Sequence, residues 1–316
     1  MHQYRIPNTD LQVSRLALGT MHWGGEWNLE PVTGQAIDRG QALMEAALEC
    51  GINHLDLADI YTFGKSDQVV GEVLKIRPDL RDAFIMQQKC GIVMAGDPAY
   101  GPPQRYDLSY EHIVSCVDES LERIRTQHLD LLALHRPDPL VEPAEVARAF
   151  DDLHRAGKVR WFGVSNHSAG QIELLRQHVD QPLVVNQLEV SLLHHHLISD
   201  GLLVNTGTDD QPATTGLLDY CRRHHVMIQA WSPLAGGRLS ENPDLGGTVT
   251  ALADQHGVSA EAIALAWLLR HPAGIQPVVG TRSVDRLRAC AQADSVELSR
   301  REWFQLLEAS RGQVVP

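Results

Sequence analysis

The stretch His54-Leu-Asp-Leu-Ala-Asp-Ile-Tyr61 sets a carboxylate, Asp56, inside a short apolar run and a tyrosine just beyond it. A buried carboxylate is costly unless it is paired and hydrogen-bonded, so Asp56 calls for a cation from elsewhere in the chain. The next apolar run, Phe84 to Lys89, ends in an ammonium, and the one after it, Leu129 to His135, ends in an imidazole. Tyrosine, with an ordinary pKa of ~10, is a weak acid at neutral pH, and a neighbouring cation can lower that value by roughly one to three units. The pattern therefore reads as a general acid, Tyr61, tuned by Lys89, with Asp56 as counter-ion to the lysine and His135 as hydrogen-bond partner of the oxygen that receives the proton. Taken singly, each residue has a plainer reading: an Asp–Lys pair is ordinarily a structural ion pair, and a strand-end histidine is ordinarily just hydrogen-bonded. Their succession after three consecutive strands points to a site.

Neighbouring strands must bring these groups onto one rim, and the hydropathy pattern supplies such strands. Tyr4 to Ile6 and Leu11 to Val13 flank a Pro-Asn-Thr-Asp cluster and predict a hairpin. Near-continuous apolar runs follow at Leu16 to Gly19, His54 to Ala58, Phe84 to Lys89, Leu129 to His135, Trp161 to Ser165, Leu183 to Gln187, Met227 to Trp231 and Gln276 to Gly280. Such runs predict strands covered on both faces, as in a parallel sheet wrapped by helices. Helical spacing separates them: Gln41 to Cys50, Ser66 to Leu74, Tyr110 to Ile124, Pro143 to Ala156, Gln171 to His178, Leu217 to His224, Thr248 to His256, Ala260 to Arg270 and Val284 to Ala293. A last helix, Arg300 to Ser310, has no strand after it. The fold expected is an α/β (β/α)8 barrel with an N-terminal β-hairpin and an extra C-terminal helix, a single unit over residues 1–316. A doubly wound nucleotide fold is disfavoured, because no G-x-G-x-x-G turn occurs. The polar stretch Ser199 to Gly216 breaks the rhythm as a long loop, and a loop of that length is usually functional or disordered.

A formal net charge of −13 argues against nucleic acid or an anionic membrane as partner, so any phosphate must meet a local basic patch. Five cysteines without a CxxC pair fit a reducing compartment. The N-terminus has no apolar signal core, and no apolar run reaches the ~20 residues needed to span a bilayer, so the chain reads as soluble and cytoplasmic.

The chain resembles the aldo-keto reductases from the hairpin nearly to the C-terminus. The resemblance rests on Asp56, Tyr61, Lys89 and His135, on Gly157-Lys-Val-Arg160 with Gly163-Val-Ser-Asn166, on Asn186-Gln187, on Trp231-Ser-Pro-Leu234 with Gly236-Gly237, and on Gly280-Thr-Arg282. It implies reduction of an aldehyde or ketone by NAD(P)H, with Tyr61 protonating the product alkoxide. It also implies that Ser165, Asn166 and Gln187 bind the nicotinamide carboxamide and that Trp231 stacks on the ring, where many members carry tyrosine. Gly19, Thr20, Ser232, Pro233, Leu234, Gly236, Gly237, Gly280 and Thr281 would complete the cofactor cleft. Arg282 and Arg286, around the start of the helix after the last strand, would meet a 2′-phosphate, which favours NADPH over NADH. The family commonly has Glu-Asn where Ala289-Cys290 stands and glutamate where Asp67 stands.

Trp23 and Trp27 are candidates for the substrate wall. No metal is expected: His194-His195-His196 are adjacent, point in different directions and lack a carboxylate partner pattern. Cys90 reads as an inert thiol. Two competing readings are a cofactor-binding regulatory subunit resembling potassium-channel β subunits and a metal-dependent barrel hydrolase using some of the 16 histidines.

Overall fold

The computed structural model describes residues 1–97, 101–203 and 214–316. Eight parallel strands close into a barrel in chain order: β1 (Ala17–Gly19), β2 (His54–Asp56), β3 (Ile85–Cys90), β4 (Leu129–Leu134), β5 (Val159–Ser165), β6 (Leu183–Glu189), β7 (Met227–Trp231) and β8 (Gln276–Gly280). Closure removes every sheet edge and leaves a packed interior whose two ends differ. The antiparallel hairpin Gln3–Arg5 and Gln12–Ser14 sits at one end, where Ile6, Leu11 and Val13 pack against Leu131, Val185 and Met227. With that end plugged, the opposite rim, at the C-terminal ends of the strands, is where a site can open.

Helices α1 (Gly34–Glu49), α2 (Lys65–Ile76), α3 (Tyr110–Ile124), α4 (Pro143–Arg155), α5 (Ala169–Arg176), α6 (Leu217–Arg223), α7 (Pro243–His256), α8 (Ala260–Leu269), α9 (Val284–Ala291) and α10 (Arg300–Arg311) surround the strands. Helix α1 begins seven residues before the predicted Gln41. Thr33 caps it by accepting from the Ala36 amide, and the small face Ala36 and Gly40 lies buried ahead of Leu43, Met44 and Ala47. Gly40 is there for close approach: a β-carbon would come within 2.7 Å of Val69 Cγ1 on α2. Helix α8 is buried on all sides, and α10 closes over it through Trp303, stacked on Trp267 at 5.4 Å with each indole donating to the other residue's carbonyl.

Short elements that the hydropathy pattern does not predict include the two-stranded ribbon Ile92–Val93 with Arg105–Tyr106 and the turns of helix Leu80–Ala83 and His196–Ser199. The predicted loop over Ser199 to Gly216 lies partly outside the described residues, from 204 to 213; its start is one helical turn, Asp200–Leu202. No helix among the described residues is long and apolar enough to cross a membrane.

Candidate active site

Register delivers the charged groups. Asp56 on β2 pairs with Gln87 on β3, and Lys89 lies two residues further toward the rim. Lys89 Nζ donates to Asp56 Oδ1 at 2.7 Å and to the Leu57 carbonyl at 2.7 Å, with both side chains almost wholly out of solvent. Burial lowers the Lys89 pKa, and Asp56 opposes that fall through charge and hydrogen bonding. The cation demanded by Asp56 is thus Lys89, from the neighbouring strand.

Tyr61 follows β2, and the turn that presents it is strained. Thr62 and Phe63 have φ of 50° and 56°, and Gly64 follows at 78°. Left-handed backbone in non-glycine residues costs about 1–3 kcal/mol each and persists where the surroundings over-determine it. Thr62 Oγ1 donates to the Tyr61 carbonyl at 2.7 Å, and the Ser66 amide donates to the same oxygen at 3.2 Å, so the turn is tied from both sides. Lys89 Nζ lies 5.0 Å from the centre of the Tyr61 ring, and the His135 ring stands nearly perpendicular to it with centroids 6.1 Å apart.

The electrostatics correct one expectation. Lys89 was expected to depress the Tyr61 pKa, yet burial, followed by Asp56, Asp59 and Asp67, pushes the phenol well above its usual value. Burial is the larger effect: taking the phenolate out of water outweighs the help of an ammonium that is also paired with Asp56. Tyr61 accordingly keeps its proton throughout the neutral range. His135 is held far below the usual histidine value by burial, then by Lys89 and Arg136, and is therefore neutral; its Nδ1 has no hydrogen-bond partner among the described residues.

Around the rim, Ser165 Oγ donates to the Gln187 carbonyl at 2.8 Å, and Asn166, at φ 61°, donates to Ser165 Oγ and to the His135 carbonyl. Trp231 Nε1 donates to Asn166 Oδ1 at 3.0 Å, which fixes the indole plane, and the Arg136 guanidinium lies 5.5 Å from the Trp231 ring centre. Gln187 Nε2 is committed to Asp56 at 2.7 Å and Gln229 at 3.2 Å, leaving its oxygen for any other partner. Gly19 and Thr20 are buried at the end of β1, with Thr20 Oγ1 donating to the Asp56 carbonyl.

Beyond β7, Ser232, Ala235, Gly236 and Gly237 all have positive φ, at 53°, 50°, 66° and 87°, an open backbone turn of the kind that lets main chain approach an anion; Pro233 within it is buried and Leu234 half-buried. Beyond β8, Gly280, Thr281 and Arg282 lead into α9, whose cap Ser283 accepts from the Arg286 amide. Arg282 and Arg286 are exposed, and neither guanidinium has an ion-pair partner among the described residues. Unpaired cations at a helix start in a strongly acidic protein fit a phosphate-bearing dinucleotide.

Some candidates part from the site. Trp23 is only 2% exposed, packed in the core near Gly40 with its Nε1 buried, so it is not an open substrate wall; Trp27, 38% exposed, meets Phe63 edge-on at 5.7 Å. Asp67 is buried between Gln88 and Arg123, with burial raising its carboxyl to about 6, and Cys290 points into the core. Burial pushes the Cys90 thiol up, and His195 is hydrogen-bonded to Ser199 Oγ. Residues that sequence reasoning passed over include Arg136, Asp59, His54 and the glutamines Gln87, Gln229 and Gln276. The available signal is glutamine inside several largely apolar strands, two of them adjacent in β3.

A closed parallel barrel with its ionisable groups gathered at the C-terminal rim defines an α/β-barrel enzyme. The chain belongs to the Aldo/keto reductase family, whose sequence profile matches residues 15–311. It is 39% identical to a 6-dehydroglucose reductase of Agrobacterium fabrum (strain C58 / ATCC 33970), across 98% of this chain and 99% of that protein. It is 35% identical to the oxidoreductase YdhF of Escherichia coli (strain K12), across 87% and 88% respectively. Among solved structures, the glycerol dehydrogenase AKR11B4 from Gluconobacter oxydans superposes with a TM-score of 0.81 at 25% identity, covering 99% of this chain and 96% of that one. Family membership makes this an oxidoreductase of carbonyl compounds that uses a nicotinamide cofactor.

Proposed function

We propose that this protein is a cytoplasmic, NADPH-dependent reductase of a small aldehyde or ketone, with the whole chain forming one catalytic barrel and Tyr61 as proton donor. The observation that carries the reading is the buried Lys89–Asp56 pair beside Tyr61 and a neutral His135. The nicotinamide supplies the hydride. Tyr61 holds the proton that the product alkoxide takes, and Lys89, 5.0 Å from its ring, stabilises the phenolate charge as it develops. A phenol kept protonated by its surroundings remains a competent donor to the far more basic alkoxide. Neutral His135 can hydrogen-bond the reacting oxygen without competing for the proton. Ser165, Asn166 and the free oxygen of Gln187 would hold the carboxamide, Trp231 would lie against the ring, and the turn from Ser232 to Gly237 would meet the pyrophosphate. Arg282 and Arg286, unpaired among the described residues, support a 2′-phosphate and hence NADPH. All five cysteines are free, which supports a reducing compartment.

A sugar-type aldehyde is the substrate class supported by the 39% identical relative named 6-dehydroglucose reductase. The test is loss of NADPH absorbance across a panel of sugar aldehydes and simple carbonyls. Tyr61→Phe should lower kcat by roughly 10²–10⁴-fold while leaving the fold intact. A variant that turns over as fast as the parent would remove Tyr61 from the donor role.

A further inference from the structure

Inside the barrel, below the rim, polar side chains form a continuous chain. Gln187, Gln229 and Gln276 are register partners on β6, β7 and β8, and Gln87 lies beside Asp56 on β3. All are buried. Asp56 Oδ1 accepts from Lys89 Nζ at 2.7 Å, Gln187 Nε2 at 2.7 Å and Gln87 Nε2 at 3.2 Å. Gln229 Oε1 accepts from Gln87 Nε2 at 2.7 Å and from Gln187 Nε2 at 3.2 Å, while Gln229 Nε2 donates to Gln87 Oε1 and to Gln276 Oε1, each at 2.9 Å. Gln276 Nε2 then donates to the Ser14 carbonyl at 2.7 Å, next to the hairpin that closes the barrel floor.

The direction of every bond follows from the two ends. A backbone carbonyl can only accept, so the Gln276 nitrogen faces Ser14 and its oxygen faces inward. A lysine-paired carboxylate also accepts, so the nitrogens of Gln87 and Gln187 face Asp56. A chain with an acceptor at each end needs one member that donates both ways. Gln229 is that member: both hydrogens of a single amide nitrogen are used, toward Gln87 and toward Gln276, and a primary amide does this without carrying charge. His54 Nδ1, 3.1 Å from Gln276 Oε1, must be the donor in that contact.

We infer that Gln229 and Gln276 are positioning residues for the catalytic pair: keyed at the barrel floor by the Ser14 carbonyl, they orient the amides of Gln87 and Gln187 so that both donate to Asp56. This rests on the reading of Tyr61, Lys89 and Asp56 given above. With those donors misdirected, Asp56 is held less firmly, and its charge, less neutralised by amide hydrogens, acts more fully on Lys89, which gives up its proton at higher pH. The groups facing Lys89 are Asp56, Tyr61, His135, Asp59 and Asp67, and His54 lies beneath Asp56.

The test compares Gln229→Met and Gln276→Met with Thr9→Val, a buried hairpin residue whose hydroxyl donates to the Ile6 carbonyl and accepts from the Leu11 amide, away from this chain. Gln229→Met should lower kcat roughly 10- to 100-fold, the scale of hydrogen bonds to charged groups, and shift the basic limb of the kcat–pH profile to higher pH. Gln276→Met should do the same to a smaller degree and carries the test if Gln229→Met fails to fold. Thr9→Val should cost thermal stability without moving the limb. In the parent, ¹⁵N NMR of His54 should show a protonated Nδ1 and an unprotonated Nε2. An unmoved limb in the folded chain variants, or the opposite tautomer, overturns the inference. A parent that reduces no carbonyl defeats the proposed function instead, and the histidine spectrum still decides the polarity of the chain.

Discussion

On the β2 to β4 side of the barrel mouth, Lys89 and Asp56 are buried and bound to each other at 2.7 Å; on the β7 to β8 side, Gly236, Gly237, Arg282 and Arg286 are exposed, and the arginines have no ion-pair partner among the described residues. The first side has its charges matched within the protein, so its groups act through fixed geometry in a dry environment, where electrostatic terms are large. The second side presents unmatched positive charge and left-handed backbone, which is suited to binding an anion from solution. Damage to the first should therefore appear in turnover and folding, and damage to the second in cofactor affinity.

Lys89→Met should give the largest effect. It leaves Asp56 buried without its cation, which costs roughly 3–5 kcal/mol when one partner of a buried pair is removed, and it takes away the charge that offsets the developing phenolate. The expected outcome is near-total loss of carbonyl reduction together with a large fall in the denaturant midpoint. Adding Asp56→Asn should restore much of the stability and none of the activity, because the carboxamide needs no counter-ion. Recovery of turnover in the double variant would show that the pair serves folding alone.

Much of this contrast can be read in the sequence, and the parts that cannot share a cause. Lys89 and His135 stand at or just past the ends of apolar runs, and apolar runs covered on both faces make parallel strands almost regardless of detail, so the barrel and the meeting of Asp56 with Lys89 are legible. The start of α1 differs from the predicted one because Gly34 and Gly40 lower helix propensity, whereas the small size of Gly40 is what lets α1 press against α2. Trp23 and Trp27 are four residues apart on one loop, and only tertiary packing sends the first into the core and leaves the second exposed. The direction of the Tyr61 pKa depends on its burial and on the carboxylates gathered around it, which pairwise reading along the chain does not reveal. The glutamine chain was illegible for a similar reason: each glutamine looks like an isolated polar interruption until register aligns them.

On the cofactor side the effects should be smaller and selective. Arg282→Ala and Arg286→Ala should each raise KM for NADPH by roughly tenfold or more, in keeping with the loss of a charge-assisted hydrogen bond to phosphate, while kcat and KM for NADH stay near the parent values. Equal losses with both cofactors would assign the arginines to general dinucleotide binding and withdraw the NADPH preference.

The smallest effect tests how strictly the catalytic side balances its charges. Asp59, two residues before Tyr61, is a buried carboxyl that no cation offsets fully: burial, despite the hydrogen bond from the Cys116 thiol, pushes it up to about 7, and its Oδ1 has no partner among the described residues. An unfolded aspartate loses its proton near ~4. Between that value and about 7 the folded protein therefore binds more protons than the unfolded chain, so this residue makes stability fall as pH rises through that window and adds no further loss above it. Asp59→Asn removes the penalty. It should raise Tm by a few degrees at about pH 8 and change it little near pH 5, with Asp67, raised to about 6 by burial, accounting for a weaker residual slope. Equal Tm changes at both pH values would mean that Asp59 is matched in the folded protein as well as Asp56 is.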